Sequence, residues 1–187
     1  MDVAAHHGDI HFLFNAHLPT EILLPMSDQV LLRITGAVER PCELTFAALS
    51  AIEARHQIID VSRLAEGRQG DAIKLSGLLQ MVGAKPEVEW LTLHASADNF
   101  HASIPLAQVR EKAFLIYRVA GQPLPAAAGG PCRFFIQDYL ACHSAEIDEC
   151  ANVKFVDHIE LSAARGADNR PHDDAAHAEL HAKEHKP

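Results

Sequence analysis

Turn residues cut the apolar runs of this chain at short intervals, most densely between Trp90 and Asp138. Three β-compatible runs lie there: Trp90–His94, Phe114–Val119 and Arg133–Gln137. Between the first two, Asp98 to Leu106 reads as a turn followed by a short strand that ends in proline. Between the last two come Gly121-Gln122-Pro123-Leu124-Pro125 and then Gly129-Gly130-Pro131. Runs this short, bounded by Gly and Pro, build sheets and leave no room for long helices.

Upstream, Val30–Thr35 reads as a strand ended by Gly36, and Gln57–Val61 as another. Thr45 is an N-cap for a helix over Phe46–Glu53. Leu75, Leu78, Leu79 and Val82 share one face of a helix over Ile73–Val82. Val153–Leu161 is the expected closing strand. Together these predict one α+β domain over residues 1–162, with mixed or barrel-like sheets and short peripheral helices. From Ala163 large apolar residues become scarce, which predicts a mobile, His-rich tail over 163–187. His177, His181 and His185 would share a face if that tail were helical.

The formal net charge is −9. Nucleic acid needs clustered Lys and Arg, so it is not an expected partner. A small anion remains compatible, because a few local cations or backbone N–H groups can hold it. No apolar run is long enough to span a bilayer. The first residues, MDVAAHHGDIHFLF, lack a basic start followed by a long apolar core, so the expectation is no signal peptide and a cytoplasmic location.

The four cysteines are Cys42, Cys132, Cys142 and Cys150, none in CxxC spacing. Cys142, His143 and Cys150 fall in one acidic segment, a donor set for zinc or another transition metal, although the spacing matches no standard motif. A disulfide or an ordered loop with reduced thiols is the alternative. Arg63 and Arg68 suit an anion clamp, or else stand in solvent as ordinary loop arginines. His94 shares a strand face with Trp90 and Thr92, which turns it toward a polar cavity or a hydrogen-bond partner.

Three ordered pieces stand out: Ser96-Ala97-Asp98-Asn99-Phe100 with Ser103-Ile104-Pro105-Leu106, Leu115-Ile116-Tyr117 with Gly121-Gln122-Pro123-Leu124-Pro125, and Asn152-Val153-Lys154-Phe155 with Ile159-Glu160. In this order they resemble the molybdopterin-binding domain of the sulfite oxidase family. The resemblance covers about residues 10 to 162, and its specificity lies in order and spacing. It implies that family's α+β fold and a molybdopterin cofactor. It also implies that Asn15 and His17, at the family's Arg and His positions, face that cofactor, with Ala16 where the family has asparagine. Arg63, Arg68 and Lys154 are candidates for its polar end.

In catalytic members a strand delivers a cysteine whose thiolate ligates molybdenum. Asp60 stands at that position, and no cysteine lies between Cys42 and Cys132. A carboxylate is a harder oxygen donor. Three readings follow: a cofactor-binding homologue without standard sulfite oxidation, an oxidoreductase whose metal is ligated by Asp60, or a metal-binding or protein-interaction module that reuses the fold. The plain structural alternative for Asp60 is a strand-end carboxylate that accepts loop N–H bonds.

Overall fold

The computed structural model describes residues 29–138, 147 and 149–171. Two sheets carry the body. The first has the order β2 (Cys42–Thr45), β1 (Val30–Gly36), β10 (His158–Ser162), β5 (Trp90–Ala95), β6 (Phe100–Pro105). β1 and β10 run parallel, and its other neighbours are antiparallel, so the sheet is mixed. The second joins β3 (Gln57–Ile58), β4 (Asp71–Lys74), β7 (Ala113–Val119) and β8 (Gln122–Pro123), with β9 (Arg133–Ile136) also paired to β7. Three short helices accompany them: α1 (Phe46–Ser50), α2 (Leu75–Val82) and α3 (Leu106–Val109). No helix among the described residues is long and apolar enough to cross a membrane.

Side-chain alternation along β7 sets where everything else sits. Leu115 and Tyr117 face the main core, with Leu32, Ile34, Leu91, Leu93 and the apolar face of α2. Phe114 and Ile116 face the other way, into a smaller cluster with Val61, Ala65, Ala72 and Leu124. β7 is therefore buried on both faces, and each fully buried Leu or Ile there contributes about 1.5–3 kcal/mol. The smaller cluster is roofed by the loop after β3.

The α+β expectation holds, with local differences. Thr45 does cap α1, its side chain accepting the Ala48 N–H at 3.2 Å, but the helix stops at Ser50. Ile73 and Lys74 belong to β4 rather than to α2, because the Ala72–Ile73 pair is buried between β3 and β7. The strand expected over Gln57–Val61 ends at Ile58, where the chain turns at Asp60. The closing strand begins at His158, not Val153.

Residues 163–171, assigned to the tail on composition, run along the outer edge of β6 as a strap. The Gly166 N–H donates to Ser103 Oγ at 2.9 Å. Asn169 exchanges two bonds with the His101 backbone, its N–H donating to the carbonyl at 3.0 Å and its Oδ1 accepting the amide at 2.7 Å. Asp168 Oδ2 is held at 2.8 Å by Arg165 and at 2.7 Å by Arg170. Arg170 is only 5% exposed and also donates to the Ser103 carbonyl. Polar pairing fastens this segment where apolar residues are lacking, which is why composition alone reads it as a tail. Gly166 is required there, since a side-chain carbon would collide with Thr92 Oγ1.

Candidate functional site

The loop from Ile59 to Gly70 closes on itself through the Val61 N–H, which donates to the Gly70 carbonyl at 2.9 Å. Asp60 starts it with φ 59° and ψ 96°. Positive φ is uncommon outside glycine, and Asp is among the residues that tolerate it. The conformation is held from both sides. The Asp60 N–H donates to Asp71 Oδ1 at 3.0 Å, and Asp71 Oδ2 pairs with Arg118 Nε at 2.8 Å. Asp60 Oδ1 accepts the Ser62 N–H at 3.0 Å. Hydrogen bonds from the Ser62 backbone and side chain hold the Asp60 carboxyl below its ordinary range, with Arg63 adding to the effect.

Val61 and Ala65 then bury against Ile116 and Phe114, and this docks the loop over β7. Gly70 passes so close to β7 that a side-chain carbon would collide with the Arg118 carbonyl. Beneath the loop lies a cavity of about 280 Å³. One wall is Gly67, Arg68 and Gln69; the other includes Ile116, Leu124, Ala128 and Arg133. Gly130 shapes that second wall by lying against the Leu124 carbonyl, where a side-chain carbon would overlap.

Among the described residues, two guanidiniums line this cavity and no carboxylate does. Arg68 Nε is buried and has no hydrogen-bond partner among the described residues. Arg133 is 9% exposed at the start of β9. Lys154 packs its Cβ and Cγ on Gly129, beside the Arg133 side chain. Planar donors around a partly open cavity, with no carboxylate among its described lining residues, favour an anion with several acceptor oxygens.

The sequence candidates are distributed as follows. Arg68 lines the cavity; Asp60 and Arg63 are exposed and do not. Lys154 lies beside the Arg133 wall. Asn15, His17, Cys142 and His143 fall outside the described residues. Cys150 is half-buried in a short turn, Glu149–Ala151. Among the described residues no group of three or more His, Cys, Asp or Glu is placed to hold a metal ion. His94 has its hydrogen-bond partners, His101 and Glu160, and is not part of the cavity. Arg133 belongs to no binding motif in the sequence; its one signal is a charge opening an otherwise apolar strand just after a Gly-Gly-Pro turn.

The family model described as the oxidoreductase molybdopterin binding domain matches residues 17–169, and the chain belongs to that family. Among solved structures, the sulfane dehydrogenase SoxCD from Paracoccus pantotrophus is similar, with a TM-score of 0.52 and 22% sequence identity. The match covers 77% of this chain and 40% of that one. At this identity the likeness concerns the fold, and it agrees with the two-sheet architecture above. No curated protein matches the chain.

Proposed function

We propose that this chain binds a molybdopterin-type cofactor, with the cationic cavity taking the cofactor's anionic end, and that it lacks standard sulfite-oxidising activity. One observation carries the reading: Arg68 Nε is buried without an acceptor among the described residues, in a cavity that Arg133 also lines. An orphaned buried donor is costly, and an anionic oxygen at that point would satisfy it. At about 280 Å³ the cavity falls just below the ~300–1,000 Å³ of common ligand pockets, so it suits one end of such a cofactor.

The donor set for the metal is a different matter. A bound molybdenum cofactor would supply two-electron redox chemistry, and the family's metal takes a protein thiolate. None of the described cysteines lines the cavity. Cys132 is fully buried, and burial raises its thiol well above the usual range. Asp60 offers an ionised carboxylate where the family offers sulfur. The second reading, an oxidoreductase using Asp60 as an oxygen ligand, is favoured by that ionisation and by the braced positive-φ backbone.

The test is the pterin content of the full chain purified from a cofactor-producing host. Pterin near one per chain is expected, falling about tenfold in Arg68→Ala as a charge-assisted contact is lost. Absence of pterin, or its full retention in Arg68→Ala, contradicts the reading.

A further inference from the structure

The loop that carries Arg68 to the cavity is anchored at both ends on consecutive residues of β7. Ahead of the loop, Gln57 Oε1 accepts the Tyr117 hydroxyl at 3.1 Å. Gln57 Nε2 donates to the Leu49 carbonyl at 3.0 Å and the Ile52 carbonyl at 3.2 Å, which ties the end of β3 to the end of α1. Behind the loop, Asp71 opposes Arg118, and the register between β4 and β7 shifts from there to the Ala72–Ile116 pair. Tyr117 is the extra residue of that bulge. Without the shift Asp71 would oppose Tyr117, whose side chain lies in the main core. The bulge therefore gives Asp71 a cation as its neighbour.

The two oxygens of Asp71 serve different elements. Oδ2 accepts from Arg118 Nε at 2.8 Å, and the two side chains are 21% and 23% exposed. The Arg118 guanidinium also lies over the Tyr117 ring, 5.4 Å from its centroid, which restricts its rotation. Oδ1 is thereby turned to the other end of the loop, where it accepts the Asp60 N–H at 3.0 Å. One carboxylate thus closes the neck of the loop on β7.

From the neck a run of backbone bonds leads to Arg68. Val61 donates to the Gly70 carbonyl at 2.9 Å. The Val61 carbonyl accepts the Leu64 N–H at 2.8 Å and the Ala65 N–H at 2.9 Å, and the Ala65 carbonyl accepts the Arg68 N–H at 3.0 Å. Buried Val61 and Ala65 press the loop onto β7, but apolar contact is non-directional and does not aim it. Its direction is set at Asp60, whose positive φ persists only where the surroundings over-determine it. Of the loop residues that line the cavity, Gly67, Arg68 and Gln69, only Arg68 is charged.

We infer, on the reading above that the cavity holds an anion, that Asp71 backed by Arg118 is a positioning residue for that site. It fixes the conformation of Asp60, and through the neck and the Val61–Ala65–Arg68 run it sets the Arg68 guanidinium at the cavity. Asp71 itself does not line the cavity and touches no ligand there.

Inorganic phosphate is the probe, titrated by calorimetry into the full chain produced in a host that makes no molybdopterin. Arg68→Ala should raise the phosphate Kd about tenfold, the weakening that goes with one charge-assisted hydrogen bond. Asp71→Ala should do the same. The double variant should show no more than about tenfold, because Asp71 acts through Arg68; independent effects would multiply to about a hundredfold. Asp71→Asn keeps an acceptor for the Asp60 N–H and loses the charge that pairs with Arg118. It should give a smaller rise with the same coupling, and it serves if Asp71→Ala fails to fold. An unchanged Kd in the Asp71 variants, multiplied effects in the double variant, or a wild-type chain that binds no phosphate overturns the role. The coupled pattern in a chain that gains no pterin from a cofactor-producing host supports the role and overturns the cofactor reading alone.

Discussion

Replacing Arg170 with methionine tests whether residues 163–171 are structural. Arg170 Nε and Nη2 grip Asp168 at 3.0 and 2.7 Å, and the two side chains are 5% and 6% exposed. Removing one partner of a buried pair costs about 3–5 kcal/mol when the remaining charge is left alone. Here Asp168 keeps Arg165 at 2.8 Å and the Arg170 backbone N–H at 3.2 Å. The cost should therefore be about 2–3 kcal/mol. For a chain of this size that lowers Tm by about 4–12 °C. Asp168→Asn combined with Arg170→Met should recover part of the loss, because no buried charge is left unpaired. Thermal unfolding at neutral pH, followed by circular dichroism, reads the effect. Truncation after Pro171, which keeps every strap contact, is the control for truncation after Arg165. A Tm within about 1 °C of wild type for Arg170→Met would refute the idea that the strap braces β6.

Two further outcomes follow from titratable groups, half-buried His158 and buried Cys132. Burial, and then the neighbouring His94, lower the His158 pKa in the folded chain. Its unfolded value is about 6.5, so the unfolded chain takes the proton first. Stability from this source is complete above about pH 6.5 and falls as pH drops below it; urea titrations should show that slope in wild type and a flatter one in His158→Phe. Cys132, at 0% exposure and with its thiol raised by burial and by Asp157, should resist iodoacetamide in the native chain and react in urea, as site-resolved mass spectrometry can show. Rapid native labelling of Cys132 would contradict its place in the core.

The sheet strands were legible because their apolar residues alternate or run between Gly and Pro. β5, β6, β7 and β9 lie within a residue or two of where those runs place them. The break after Ile58 was not legible, because Asp60 takes positive φ only with Asp71 and Arg118 behind it, partners 11 and 58 residues away. The strap escaped for a related reason. Its stability comes from Asp168 between two arginines and from Asn169 on β6, and composition counts such residues as solvent-facing. At the candidate site, the loop arginine Arg68 was visible as an anion-binding type. Arg133 was hidden because it reads as the first residue of a strand, and only the fold brings it opposite Arg68.

We propose that the cationic cavity holds the cofactor while Asp60, in place of a thiolate, leaves sulfite chemistry unsupported. The most direct measurement is sulfite-dependent reduction of an artificial acceptor, expressed per bound pterin, by the full chain purified from a cofactor-producing host. Asp60→Cys, prepared in parallel, reports what a restored sulfur donor changes. Bound pterin and no turnover are expected in the wild type. Stoichiometric molybdenum with sustained sulfite-dependent turnover in the wild-type chain would contradict it and favour Asp60, or one of the cysteines, as the working ligand.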